Sequence, residues 1–453
     1  MEFINKNIEL LNNIKSDFET RKIIYDKMYD YCVTGKSEAY REYKHNPKRS
    51  NLKVRTNFIK KFIKEEVAYL VSNKITYTSK SDNKEELDFL EKKTAHWDKN
   101  HEKMLLRDML SFGSVYELYY TNKRYTGKII NNKEEYELMF NSKIISPRDG
   151  YVFADDFGNI TMFLRFFKKK FDTRTYIDIY TTDFVYHVYD NFESTGEEKT
   201  PNKFGEVPVR IGTISQYKEH DTLFNELKDL QDAFETNLSD IVNEISDYRL
   251  AYLIFSGCQI DTTKKDEDGK TQLDYLKEKG AMSVNEKDSK IYFLTKDIND
   301  TFVQNTLNTL KKNMYEISNH IDTNEKLQSN LSGSAIRNRL IGLEQRVKDS
   351  EGSMKNIIQG RLYFLFKLFN KLEKTNYDYR DISAKFTLNI PQDDVSIAQI
   401  ISQIPDGVLS KQTARTLFSF MYNSDREQKL IDAEKQKELE NEVDLDKVVG
   451  ANE

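Results

Sequence analysis

The stretch LFNELKDLQDAFETNLSDIVNEISDY, at residues 223–248, decides the fold. Its apolar residues recur in steps of four and three, which is the repeat of one face of an α-helix. They are Leu223, Leu227, Leu230, Phe234, Leu238, Ile241, Ile245 and Tyr248. The stripe persists for about seven turns. The stretch therefore predicts one long helix whose apolar face must pack against another helix.

Two further apolar stripes of the same period follow along the chain. The second comprises Val303, Leu307, Leu310, Met314, Ile317 and Ile321. The third comprises Ile336, Leu340, Leu343, Val347, Ile358, Leu362, Leu365, Phe369 and Leu372, and it predicts a helix of more than about 35 residues. Helices of this length favour a bundle, a coiled coil or a ring of packed subunits over a compact domain.

The segments between and before the stripes have other patterns. An insert at about 257–300 contains a charged turn, a short helix and the strand KIYFL, and the polar stretch 323–334 precedes the third stripe. Residues 114–215 are rich in β-branched and aromatic residues, with turns at 131–132 and 157–159. That composition predicts an antiparallel sheet region. Together the patterns predict an α+β fold.

The two ends of the chain are predicted to be mainly helical. Toward the amino end we expect a helix over 1–30, a helix capped by Thr56 or Asn57 and running through about 77, and a helix over 84–113 that ends at Gly113. After the third stripe we expect a strand at 384–391 and helices at 395–403 and 410–421. A charged helix over 424–453 frays into a tail.

Composition narrows the class of protein. Hydrophobic residues make up only 38% of the 453 residues and charged residues 32%, yet aromatic residues reach 12%, so the chain folds but buries little surface by itself. Two distant cysteines indicate a reducing compartment, and no apolar run is long enough to span a membrane. The net charge of −5 argues against a sequence-reading duplex binder.

No persuasive active site is apparent. Gly269-Lys270-Thr271 lacks the upstream glycine of a phosphate-binding loop, and His96 and His101 are five residues apart rather than the four of a helical zinc pair. Asp155 and Asp156 suit a β-turn. The carboxylates between 229 and 247 are spread along a helix and suit a charged stripe. We predict a protein that is not an enzyme and holds no cofactor or metal.

Five short stretches, in this order, resemble the portal proteins of long-tailed bacteriophages that infect Gram-positive bacteria. The most specific is NLSGSAIRNRLIGLE at 330–344, in which Ser332, Gly333 and Ala335 match a polar loop that opens a long helix. The others lie at 57–77, 112–120, 145–167 and 204–212. The chain departs from the family pattern at Asn73, where glycine is usual, and at Val115, where alanine is usual.

The resemblance implies an elongated portal-type subunit. Its wing would comprise 1–239 and 335–392, including the long wing helix. Two stem helices, 240–256 and 301–322, would flank a clip at 257–300. A tunnel loop at 323–334 would enter the channel, and a helical crown with a charged tail would occupy 393–453.

The resemblance also implies a function and candidate residues. Twelve copies would form a ring at one capsid vertex, through which DNA is packaged and ejected. The tunnel-loop candidates for contact with DNA are Asn324, Lys326, Gln328, Asn330, Arg337 and Arg339. The acidic candidates for the channel wall, which would keep DNA from sticking, are Glu235, Asp240, Glu244 and Asp247. The clip candidates for partner docking are Lys264, Lys265, Asp268 and Tyr275.

The implied partners are other copies of the chain, double-stranded DNA held without sequence preference, terminase, the head–tail adaptor, and the capsid and scaffolding proteins. Assembly would take place in the host cytoplasm and the product would reside in the virion. Three other readings stay open: a helical scaffold protein, another ring component of the virion, and a DNA-processing enzyme that uses the carboxylates named above.

Overall fold

The computed structural model describes residues 2–44, 51–130, 133–197, 199–248, 252–256, 263, 265, 267–271, 274, 278, 290–294, 300–322, 333–388, 394–405, 407–418 and 427–436. Within these ranges the fold is α+β, as predicted. No helix among them combines the length and apolar character needed to cross a membrane.

The amino-terminal third begins with helices α1 (Glu2–Lys6), α2 (Ile8–Tyr29), α3 (Glu38–Glu42) and α4 (Phe58–Val71). Asn57 occupies the cap position of α4 with φ 58°, but its side chain makes no capping hydrogen bond. The predicted helix does not continue to 77, because Thr76–Ser79 forms strand β1. The threonine-rich sequence TYTS favours that extended conformation.

The single helix predicted over 84–113 is two helices, α5 (Lys84–Thr94) and α6 (His101–Phe112). The break falls at a turn in which the Asp98 carboxylate accepts from the backbone N–H of Asn100 at 2.8 Å. Aspartate competes with helix in this way. The predicted end at Gly113 is confirmed: this residue has φ +76°, and a Cβ there would lie 2.3 Å from the backbone of Lys218.

The predicted antiparallel sheet region is confirmed as two sheets. Strands β2 (Ser114–Ile130), β3 (Lys133–Ile145) and β9 (Val209–Thr213) pair in the order β3-β2-β9. The second sheet is formed by β4 (Gly150–Ala154), β5 (Ile160–Lys168), β6 (Thr175–Tyr180), β7 (Phe184–Tyr189) and β8 (Thr200–Pro201), in sequence order. Its apolar face packs on α1 and α2 through Ile4, Leu11 and Phe18.

The first long helix has the bounds that its apolar stripe predicted, whereas the stem helix that the resemblance implied through 256 is interrupted by a strand. Helix α7 spans Leu223–Tyr248, and Tyr252–Ser256 is strand β10, paired antiparallel with β11 (Lys290–Leu294). The prediction of a stem helix through 256 is therefore wrong. The run YLIFS is β-branched and aromatic, and it matches the predicted strand KIYFL as a partner.

The other two long helices are confirmed. Helix α8 spans Asp300–Ser318, and helix α9 spans Gly333–Glu373, which is 41 residues. Further on, β12 (Ile382–Lys385) pairs with β1, so the strand expected at 384–391 begins earlier. Helices α10 (Asp394–Gln403) and α11 (Lys411–Thr416) follow, and 427–436 are helical.

One large core joins the long helices to the amino-terminal helices. Leu227 and Phe234 of α7, Met314 of α8 and Val347 of α9 are buried together with Phe62 of α4. The second half of α9 carries its apolar side chains into a neighbouring core with β1, β2 and β12. Helix α9 therefore packs along both cores and positions α7 and α8 relative to the sheets.

Candidate functional site

The two long helices α7 and α8 pack against each other and are joined through the antiparallel pair β10–β11. Their apolar stripes meet in the large core, where Phe234 and Met314 are buried and Leu238, Leu307 and Leu310 are partly buried. The arrangement is a pair of helices with a two-stranded insert at one end. At the other end, α8 leads into residues 323–332.

Helix α7 carries a ladder of buried polar side chains beside its apolar stripe. Gln231, Glu235, Ser239 and Asn243 are spaced four residues apart and are at most 2% exposed. Each accepts hydrogen bonds from the backbone of the segment 52–59. Residues 52–56 of this segment run alongside α7, and Ile59 already belongs to the first turn of α4.

The rungs of this ladder are regular. The Asn243 Oδ1, Ser239 Oγ and Glu235 Oε1 atoms accept from the N–H groups of residues 52, 54 and 56, at 2.8, 3.0 and 2.7 Å. Four helical residues advance about 6 Å, and two extended residues advance about 6.6 Å. The spacings match, so every second N–H of the segment meets the next polar side chain.

The last rung also caps a helix. The Gln231 Oε1 atom accepts from the N–H of Ile59 at 3.1 Å, in the first turn of α4. The first N–H groups of a helix have no partner inside the helix. Gln231 therefore supplies the cap that the Asn57 side chain does not, and it ties α4 to α7.

The structure contradicts the expectation that Glu235 lines a channel. This side chain is 1% exposed, and its carboxylate accepts from the Thr56 N–H and hydroxyl and from the Ser37 hydroxyl. Assembly can only increase its burial. Hydrogen bonds from several donors offset the cost of burying this carboxylate. Glu235 therefore anchors the segment 52–59 to α7.

The other acidic candidates lie farther along α7. Asp240 is exposed, and its Oδ1 accepts from the Tyr43 hydroxyl at 2.6 Å. Glu244 is half-buried. For Asp247 only the helical backbone is described. The sequence analysis missed Gln231, Ser239 and Asn243, although their four-residue spacing beside the apolar stripe was a readable signal.

Ion pairs hold the long helix α9 at two points. Near its start, the Arg346 guanidinium contacts Glu66 of α4 and Glu226 of α7, each at 2.9 Å. These contacts join the three helices α4, α7 and α9. Removing either partner of the pair between Arg346 and the buried Glu66 would strongly destabilise the fold.

The second point lies under the sheet β3-β2-β9. Arg361 contacts Glu102 at 2.6 Å and Glu117 at 2.8 Å, and His101 is also 2.8 Å from Glu117. Burial raises the pKa of Glu117, but Arg361 and His101 outweigh burial and hold it at about 2. The network therefore keeps Glu117 ionised.

No group of three or more His, Cys, Asp or Glu side chains among the described residues is arranged to hold a metal ion. Asp155 accepts from the backbone N–H groups of Phe157 and Asn159 in the tight turn between β4 and β5, as expected of a turn aspartate.

A family model described as phage portal protein, SPP1 Gp6-like, matches residues 11–441, which is nearly the whole chain. The chain belongs to this family. The resemblance read from the five sequence stretches is thereby confirmed. As a portal family member it is virion-associated and serves as a head–tail connector.

The chain also has distant matches among solved structures. One similar chain is from the "Virion of native gene transfer agent (GTA) particle", with a TM-score of 0.42 and 9% identity, covering 87% of this chain and 92% of that chain. Another is from the "Neck of empty GTA particle computed with C6 symmetry", with a TM-score of 0.38 and 11% identity, covering 80% and 88%. A search of curated proteins finds no match.

The remaining portal candidates are only partly described. Arg337 and Arg339 lie in the first two turns of α9, where the backbone alone is described. Lys265 and Asp268 are exposed in the segment between β10 and β11. The others lie outside the described residues: Asn324, Lys326, Gln328, Asn330, Lys264 and Tyr275.

Proposed function

We propose that this portal protein forms a closed ring of about twelve copies at one capsid vertex, through which DNA is packaged and ejected. The observation that carries the proposal is the family match over residues 11–441. In this proposal the chain performs no catalysis itself. ATP hydrolysis for packaging is supplied by the terminase.

Uncovered apolar side chains on the long helices support assembly. In the single subunit Ile245 of α7 is 58% exposed, and Phe302 and Ile317 of α8 are 68% and 46% exposed. Apolar side chains grouped on one pair of helices favour a covered interface. A ring of heterologous contacts covers the same patch on every copy.

We propose that α8 lines the channel next to the loop 323–332. Between 301 and 309 its exposed residues carry no charge: Thr301, Phe302, Gln304, Asn305, Asn308 and Thr309. Such a wall offers phosphates little electrostatic attraction, so DNA can slide past it. Cations in and just after the loop then contact the DNA phosphates, and the candidates are Lys326, Arg337 and Arg339. The candidate polar contacts are Asn324, Gln328 and Asn330.

We propose that the segment between α7 and α8 is the clip and docks the terminase first and the head–tail adaptor later. The paired strands β10 and β11 form its base. Lys264, Lys265, Asp268 and Tyr275 are the candidate contacts. The wing, at 1–239 and 335–392, and the crown, at 393–453, then face the capsid interior, where capsid and scaffolding proteins assemble.

Particle mass and shape test the ring. Light scattering and negative-stain microscopy should find rings with a central hole and a mass of about 640 kDa, twelve times the 53.4 kDa of the chain. A stable rod-shaped dimer or trimer would contradict the ring and favour the helical scaffold. Metal-dependent cleavage of plasmid DNA by the purified protein would favour the enzyme.

A further inference from the structure

The ribbon formed by strands β2 and β3 extends beyond the rest of its sheet. Strand β9 pairs only with residues 114–118 of β2. From 120 to 128, no described residue pairs with β2 on that side, and β3 lies at the edge of the sheet throughout. A two-stranded ribbon with open edges is marginally stable in water, and an open edge can accept a further strand. We call residues 120–128 and 134–139 the arm.

The backbone of β2 shows which of its residues point to the open edge. On the β9 side, the Tyr119 N–H donates to the Pro208 carbonyl at 2.8 Å. The Gly113 carbonyl accepts on the same side from the Ile214 N–H at 3.1 Å. The N–H and C=O of one strand residue point to the same side, and successive residues alternate. The odd-numbered residues of β2 therefore point away from β3. In the arm they are Thr121, Lys123 and Tyr125.

The open edge of β3 follows from the same ladder. Tyr119 lies opposite Ser142, so the even-numbered residues of β3 point away from β2. The Phe140 carbonyl agrees with this direction, because it accepts a hydrogen bond from the Trp97 indole N–H at 3.0 Å. In the arm the outward residues of β3 include Tyr136 and Leu138.

The two strands of the arm carry opposite charge. Its β2 residues include three basic side chains and no acidic one: Lys123, Arg124 and Lys128. Its β3 residues include three acidic side chains and no basic one: Glu134, Glu135 and Glu137. Arg124 lies opposite Glu137, but that carboxylate is 3.7 Å from the Lys93 ammonium instead. Among the described residues, none of the three cations forms an ion pair or a hydrogen bond through its charged group.

We infer that the open edge of β2 in one copy pairs with the open edge of β3 in the next copy, so that the arms form one antiparallel sheet around the ring. The inference rests on the ring of the proposed function. A ribbon has two edges, which lie on its opposite sides, and rotation about a ring axis repeats the strand order β3-β2 from copy to copy. Each β2 edge then faces a β3 edge, and a basic strand faces an acidic one.

Neighbouring arms that are not shifted along the strands match group by group. Lys123 and Leu138 lie opposite each other in one copy, and both point outward. Lys123 of one copy therefore meets Leu138 of the next copy, with N–H facing C=O in both directions. Arg124 then lies between its own Glu137 and that of the next copy. Opposite charges at such positions favour pairing of the strands.

Cysteine cross-linking in rings of the full chain tests this contact. The Lys123→Cys and Leu138→Cys proteins are co-expressed so that rings contain both, and the rings are then oxidised. A hydrogen-bonded pair has Cα atoms about 5.5 Å apart, which a disulfide can bridge. Equal positions of adjacent copies lie about 9.5 Å apart, which it cannot bridge. Non-reducing electrophoresis should therefore show about tenfold more covalent dimer from the mixture than from either variant alone.

The single variants also control for the native Cys32 and Cys258. Rings that contain both variants and give no more dimer than the single variants would overturn the arm contact and leave the ring standing. Wild-type protein that remains monomeric would instead overturn the ring of the proposed function, and the arm contact with it.

A proline at the open edge provides the second test. The Lys123 N–H points away from β3, so Lys123→Pro removes a donor from the edge and keeps the hydrogen bonds inside the ribbon. It should lower the ring fraction about threefold at the protein concentration of half assembly. Lys123→Thr removes the same side chain but keeps the N–H, so it is the matched control and should assemble better than the proline variant. Equal ring fractions for the two variants would overturn the arm contact.

Discussion

Replacing Glu235 with alanine should release the extended segment 51–57 from α7. The carboxylate accepts from the Thr56 N–H, the Thr56 hydroxyl and the Ser37 hydroxyl, and it sits in the middle of the ladder. Removing it takes the acceptor away from the buried Ser37 hydroxyl and from the two half-buried donors of Thr56. A hydrogen bond to a charged group contributes about 1.5–3 kcal/mol, and such losses do not simply add. We therefore expect local opening to become easier by about 2–3 kcal/mol.

Amide hydrogen exchange reports this opening directly. Since about 1.4 kcal/mol corresponds to a factor of ten, exchange in a peptide covering 51–57 should accelerate about 30- to 140-fold in Glu235→Ala. Glu235→Gln keeps one acceptor oxygen, so it should show an intermediate acceleration. Thr236→Ala, at the exposed neighbouring position, is the matched control and should exchange like the wild type.

The result that would refute this reasoning is exchange over 51–57 in Glu235→Ala within threefold of the wild type. That outcome would mean that the other rungs, at Ser239 and Asn243, hold the segment without help. A uniform acceleration over the whole chain would also count against it. Glu235 would then support the global fold rather than this segment.

Three other outcomes are expected. Gly113→Ala should lower the melting temperature, because the φ of +76° disfavours a side chain and an added Cβ would lie 2.3 Å from the backbone of Lys218. Gly352→Ala should leave the melting temperature unchanged or raise it, because an added Cβ there has no atom within 4 Å. The pKa of Glu117 is held at about 2, below its ordinary value of 4.5, so the wild type should lose stability as the pH falls from 4.5 toward 2. The variant Glu117→Gln should lack this part of the pH dependence of stability, which denaturant titration measures. Alanine at all three cations in and just after the loop, Lys326, Arg337 and Arg339, should reduce retention of packaged DNA. Normal retention in assembled particles would remove their assigned role.

The spacing of apolar residues predicted the long helices and the sheet region. It did not predict a strand that forms only by pairing with a distant segment. The long helices α8 and α9 and the antiparallel region at 114–215 follow from one-dimensional patterns. The run YLIFS fell inside the stem helix 240–256 that the resemblance implied. Only the pairing with KIYFL, some 35 residues away, makes it a strand.

The sequence also could not predict which of the candidate residues are buried. The sequence marked Glu235 as one of several acids on a helix, and it could not say which of them was buried. That depended on the segment 52–59, which precedes α7 by about 170 residues.

What the sequence alone determined is the family, the α+β class and the existence of three long helices, since these depend on local period and on the order of short motifs. The tertiary structure decided which polar side chains of α7 are buried and hydrogen-bonded and which are exposed. The physical reason is that helix phase fixes only which residues share a face. Which face meets a backbone, a core or solvent is set by distant segments, here the extended segment that binds Gln231, Glu235, Ser239 and Asn243.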